Sequence, residues 1–203
     1  MATLTPPPPD CAVRPVHYTL SAGTAIHRIY DPDSHFATAN GFRTVGPYGR
    51  FDHHTKAKDD RGILYAGETF KDCLVEIYGD RKFGLTVNRR HCQLRLLREL
   101  ILLDLRGDGA MRAGTITKLC SGPHRMGQRW SRYFYENEAR YGVVDGIVYH
   151  NAHNEGEVYA LYERANRAFI VIRDNRLDDG SRRDEYVQAA LSVNITVGFQ
   201  GQT

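Results

Sequence analysis

The 203-residue chain predicts an α+β fold. Two stretches with apolar residues at helical spacing, Phe70–Tyr78 and Met126–Phe134, stand apart from a group of short strand-like segments after residue 145. There is no internal repeat, and no βαβ alternation of the kind that builds a doubly wound sheet. The close spacing of the short strands implies antiparallel pairing.

In chain order, Pro6 to Pro9 forbid helix and favour an extended lead-in, so residues 1–14 are expected as a flexible tail and 15–203 as a single domain. A strand is expected over Ala25 to Tyr30, then a long polar, Gly-rich loop to about Arg61, then a short strand through Ile63, Leu64 and Tyr65. Thr69 can cap a helix that buries Phe70, Cys73, Leu74, Ile77 and Tyr78, with Gly79 ending it. Glu76 falls beside that stripe, where a carboxylate points along the edge of the core into a cleft.

The run Leu94 to Leu105 has aliphatics on both faces and reads as a central strand covered on both sides, with helix as the alternative. Thr115 to Cys120 reads as a short helix, and a second begins after Gly122-Pro123 with Met126, Trp130, Tyr133 and Phe134 in its buried stripe. Strands follow at Asp145 to Tyr149, Val158 to Tyr162 and Phe169 to Arg173; Tyr186 to Phe199 reads as a helical turn followed by a strand.

Composition narrows the function classes. An apolar fraction of 41% and a charged fraction of 25% are those of a globular protein. The net charge of +3 is too small for a dedicated duplex-binding protein. The basic aromatic stretch RMGQRWSRYF is explained by one amphipathic helix, so direct nucleic-acid binding is not expected. Cys11, Cys73, Cys92 and Cys120 form no C-x-x-C pair and read as reduced thiols. With neither a signal-peptide pattern nor an apolar run of membrane-spanning length, a cytoplasmic location is expected.

P-loop, G-x-G-x-x-G, G-x-S-x-G and H-E-x-x-H motifs are absent. The local clusters Asp52-His53-His54, Cys120 to His124 and His150 to His153 lack the paired spacing of zinc sites, so no metal is expected.

Four blocks in fixed order carry the chemistry: IHRIYD, GPYGRF, ILYAGETFKDCLVEIY and, after LLDL, VDGIVYHNAHNEGEVYALYE. Together, from about Ala25 to Glu163, they resemble the RES domain, a family named for an Arg, a Glu and a Ser. Arg28 matches the first family Arg, Arg50 the Arg of a G-R-W-N turn, Tyr65 the strand Tyr and Glu76 the namesake Glu. Phe51 and Asp52 replace the usual Trp and Asn, and Asn151 stands where the namesake Ser is expected. Its carboxamide can still donate and accept hydrogen bonds.

The resemblance implies an ADP-ribosyltransferase-like split antiparallel β core with flanking helices around an NAD cleft. It also implies a toxin that degrades NAD, as substrate rather than cofactor, at the nicotinamide–ribose bond by hydrolysis or phosphorolysis, under control of an Xre-like antitoxin. Glu76, Arg28 and Asn151 are then the catalytic candidates, and Arg50, Tyr65, Tyr48 and Gln128 the NAD-binding ones. A carboxylate beside the ribose suits the positive charge that develops as nicotinamide leaves, and arginines suit phosphate oxygens. The alternatives are a noncatalytic RES-like protein that binds NAD or a partner, and a protein ADP-ribosyltransferase; assembly as a homo-oligomer stays open. Read without the family, the residues favour structural roles: Arg28 and Glu76 as an internal ion pair holding a strand to a helix, and Tyr65 as a core aromatic.

Overall fold

A computed structural model of the chain describes residues 3–35, 37–55, 60–79 and 89–196. Eight strands form one sheet: β1 (His17–Leu20), β2 (Ala25–Tyr30), β3 (Ile63–Gly67), β4 (Arg90–Leu96), β5 (Leu100–Asp104), β6 (Gly146–His150), β7 (Glu157–Tyr162) and β8 (Phe169–Arg176). Their spatial order is β1-β5-β6-β7-β3-β2-β4-β8, with every pairing antiparallel except β5–β6. The helices are α1 (Phe70–Tyr78), α2 (Asp108–Arg112), α3 (His124–Glu136), α4 (Glu138–Tyr141) and α5 (Arg183–Leu191). The predicted α+β class holds.

The sheet is nearly divided in two. β2 and β4 face each other over six residue pairs, from Ala25↔Arg95 to Tyr30↔Arg90, and β3 and β7 over five, but β2 and β3 meet only at His27↔Gly67. Beyond that pair the strands diverge, and Arg43 takes the place of β2 beside β3 through reciprocal backbone bonds with Ile63. The wing β1-β5-β6-β7-β3 is covered by α3 and α4, which bury Trp130, Phe134 and Tyr141 against Ile147, Tyr149, Ala160 and Tyr162. The wing β2-β4-β8 carries α1 and α5, with Phe70, Leu74 and Tyr78 packed against Ile29 and Tyr186. On the other face, Leu20, Ile26, Leu94, Leu102, Val148 and Leu161 share one cluster.

α1 forms where its spacing predicts. Thr69 Oγ1 accepts from Asp72 N (3.2 Å) and Asp72 Oδ2 accepts in return from Thr69 N (3.0 Å), a reciprocal cap worth about 1 kcal/mol.

The run Leu94 to Leu105 is corrected: it is two strands, β4 and β5, lying in different wings. The alternation Leu94 buried, Arg95 exposed, Leu96 buried, Leu97 exposed breaks at Arg98, which is exposed where a buried residue is due and turns outward to pair with Asp145. Antiparallel pairing holds for β6 and β7, but β8 pairs with β4, and the long crossover from β5 makes β6 parallel to it. β1, α2 and α4 are short elements that the sequence did not disclose. The helix expected from Tyr186 starts at Arg183 and runs to Leu191, residues 192–194 form a turn where the strand was expected to follow, and residues 197–199 lie outside the described residues.

The proline-rich lead-in has no regular structure over residues 3–16, but it lies against the body. Trp130 Nε1 donates to Thr5 O (2.8 Å), Pro9 is buried, and Leu4 and Val13 pack on the aromatic cluster.

Candidate functional site

The divergence of β2 from β3 opens a cleft of ≈ 410 Å³. The end of β2 supplies Arg28 to Tyr30, followed by Asp31; β3 supplies Ile63 and Tyr65, and the loop between them forms the rim. A small apolar recess adjoins it, sharing Ile29 and Tyr65 and adding Cys73, Glu76, Ile77, Tyr149 and Val158.

Glu76 projects from α1 into this recess, as its place beside the helix stripe predicts. Tyr149 Oη, from β6, donates to Glu76 Oε1 at 3.1 Å. Glu76 is exposed over much of its surface, yet protein crowds its carboxyl enough to raise the pKa above the ordinary value. The Tyr149 hydrogen bond and the charge of Arg50 oppose that rise, with smaller contributions from His153 and His124. Tyr149 was legible in the G-I-V-Y block but not singled out. It is the residue that orients Glu76.

Arg28 is 8% exposed and makes no ion pair with Glu76 or with any other described carboxylate. Its Nη1 donates to the carbonyls of Thr38 (3.2 Å), Ala39 (3.2 Å) and Gly41 (2.8 Å). Burial lowers its pKa. A guanidinium held by neutral carbonyls keeps its formal charge uncompensated, which suits an anionic ligand.

The turn carrying Tyr48 and Arg50 is organised by Asp52, which is fully buried. Its carboxylate accepts two bonds from Arg43 Nη2 (both 2.8 Å), one each from Tyr48 N (2.6 Å) and Gly49 N (2.9 Å), and one from Tyr65 Oη (2.9 Å). Tyr65 Oη in turn accepts from Phe51 N (2.9 Å). Tyr65 is therefore both a wall of the cleft and a strut for the turn; burial raises its pKa well above the usual phenol value, and Asp52 adds to the rise. At Asp52, where the family has Asn, the carboxylate supplies acceptor capacity and charge for Arg43 that a carboxamide lacks.

Arg50 donates through Nη1 to Gly122 O, which ties the turn to the start of α3. Tyr48 is 59% exposed, stacked on His35 with ring centroids 5.3 Å apart, and Arg43 lies over its ring. Gln128, expected to contact ligand, instead donates to Gly49 O (3.0 Å) and supports the turn from below.

Asn151 is not bonded to Glu76. Its Oδ1 accepts from His153 N (2.9 Å) and Asn154 N (3.1 Å), holding the β6–β7 turn, while its buried Nδ2 has no partner. It lines a separate cleft of ≈ 570 Å³ with Lys118, Cys120, Ser121 and His150. The structure thus places Arg28 and Tyr65 in the cleft and Glu76 in the recess that adjoins it, with Arg50 lining neither but close enough for its charge to act on Glu76, and leaves Asn151 in a separate cleft. No cluster of potential metal ligands occurs among the described residues.

The RES domain family model matches residues 25–183, spanning every element that builds this site. The chain belongs to the RES domain family. No curated protein matches the sequence. Among solved structures, the RES domain of this chain is similar to a chain of the M. tuberculosis MbcT–MbcA toxin–antitoxin complex, the MbcT toxin. The TM-score is 0.58 at 14% identity, covering 85% of this chain and 92% of that one. At that identity the likeness establishes a shared fold. No described helix is long and apolar enough to cross a membrane.

Proposed function

We propose that this RES protein cleaves the nicotinamide–ribose bond of NAD. The observation that carries the reading is the placement of Glu76: a carboxylate oriented by Tyr149 in an apolar recess that opens onto an arginine-lined cleft. The recess accepts the flat nicotinamide, and the cleft the diphosphate and adenosine. As the bond lengthens the ribose gains positive charge, and Glu76 stabilises it; the electron pair leaves with nicotinamide, which becomes neutral. Arg28 and Arg50 hold phosphate oxygens, and Tyr65 borders the nicotinamide riboside. Water or phosphate then takes the ribosyl carbon.

Toxicity and restraint by a protein antitoxin are part of the proposal, supported by family membership and by the fold shared with a toxin solved together with its antitoxin. NAD loss and nicotinamide release by the purified protein, with and without phosphate, test the activity. Release that disappears in a folded Glu76→Gln variant supports it, and equal release by that variant overturns the site.

A further inference from the structure

We infer that the cleft selects a dinucleotide without a 2′-phosphate, and that Asp31 is the specificity-determining residue. The inference rests on the proposed NAD-cleaving reading and names the substrate form that the same site takes. Asp31 follows β2 directly and is the one carboxylate among the described residues lining the ≈ 410 Å³ cleft. It is half-buried, its Oδ1 accepts only from Asp33 N (3.0 Å), and it has no ion-pair partner among the described residues.

The cations of the cleft are limited in the same way. Arg28, Arg43 and Arg89 line it, but Arg43 is committed to Asp52 through both carboxylate oxygens. Arg28 is held by carbonyls, and Arg89 lies over the Tyr78 ring, 5.4 Å from its centroid, with no described carboxylate partner. Arg28 and Arg89, with the Arg50 that the proposed reading assigns to phosphate oxygens, serve the two charges of a dinucleotide diphosphate. A 2′-phosphate adds roughly 1.5 to 2 further negative charges at neutral pH, and no described cation pairs with Asp31 to offset its charge against them. A carboxylate that lines the cleft opposes an extra phosphate placed beside it. A free ribose diol, by contrast, donates hydrogen bonds to a carboxylate, the device by which acidic residues mark unphosphorylated dinucleotides in other folds.

The test compares kcat/KM for nicotinamide release from NAD and from NADP. Wild type is expected to favour NAD by about tenfold or more, the size of one unfavourable charge contact of ~1.4 kcal/mol. Asp31→Asn narrows the ratio and Asp31→Arg reverses it, with circular dichroism and melting curves confirming that both fold. Equal use of both dinucleotides by wild type, or a ratio unmoved in Asp31→Asn, overturns the inference while leaving NAD cleavage intact. If neither dinucleotide is cleaved, the proposed activity fails by itself, and calorimetric dissociation constants for NAD and NADP then decide Asp31. Tighter NAD binding that Asp31→Asn levels supports the inference; equal affinities, or no binding of either, overturn it.

Discussion

Glu76 and Asp52 are both carboxylates of the site, and their surroundings give them opposite duties. Asp52 spends its acceptor capacity on Arg43, Tyr65 and the Tyr48–Gly49 amides, so it builds the turn; Glu76 has one described hydrogen bond and an open cleft before it. Because crowding raises the pKa of Glu76, its ionised form is reached at a higher pH than for an ordinary glutamate. The acid limb of kcat/KM for NAD is expected to be shifted upward in the same direction, as a pH–rate profile will read. A raised carboxyl pKa also works against folding once the group ionises: the penalty is absent below the unfolded pKa and complete above the folded one. Glu76→Gln should therefore be inactive yet melt at or above wild type at neutral pH, with the difference vanishing in acid. Asp52→Asn removes the charge that pairs Arg43 and strands part of a buried network. It should lower stability by roughly 1–3 kcal/mol in denaturant titrations and weaken dinucleotide binding.

The turn Tyr48 to His54 acts only because neighbouring elements clamp it. α3 approaches so closely at Gly127 that an added Cβ would stand 2.5 Å from Arg50 O and 2.8 Å from its Cγ. Backbone cannot yield cheaply there, so Gly127→Ala is expected to push α3 off the turn, displace Arg50 and raise KM for NAD, measurable beside an unchanged far-ultraviolet spectrum. The cap of α1 is the second such device, since Thr69 and Asp72 fix where the helix starts and hence where Glu76 points. Both α1 and α3 were legible because their apolar residues recur at helical spacing over two turns or more. The Leu94–Leu105 run was misread because two buried strands with a three-residue turn between them present nearly continuous aliphatics. The exposed Arg98, turned outward to pair with Asp145, separates them.

The margins of the β1-β5-β6-β7-β3 wing are held by contacts between residues far apart in the chain. Glu163, at the end of β7, accepts from His53 Nε2 (3.0 Å), Tyr135 Oη and Gly62 N (3.0 Å). Burial alone would raise its pKa, but these hydrogen bonds bring it down to about 2. Its contribution to stability is present above the ordinary glutamate pKa and is lost as pH falls from there toward 2. Glu163→Gln should flatten that part of the acid-unfolding curve. The lead-in closes the other margin: deleting residues 1–12 removes the Thr5 carbonyl from Trp130 and uncovers Leu4's contact with the aromatic cluster. A melting temperature lower by about 2–4 °C for each kcal/mol lost is expected. By itself the sequence determined the α+β class, the helices α1 and α3, the strands that carry Arg28 and Tyr65, and the family, because these depend on local periodicity and on the order of four short blocks. It also put Glu76 at a helix edge. The tertiary structure alone decided that β2 and β3 part after one residue pair, that Tyr149 orients Glu76, that Asp52 gathers the turn, and that Gln128 and Asn151 serve backbone turns. Those outcomes depend on contacts between residues far apart in the chain, where hydrogen-bond geometry and close packing, rather than local pattern, choose each partner.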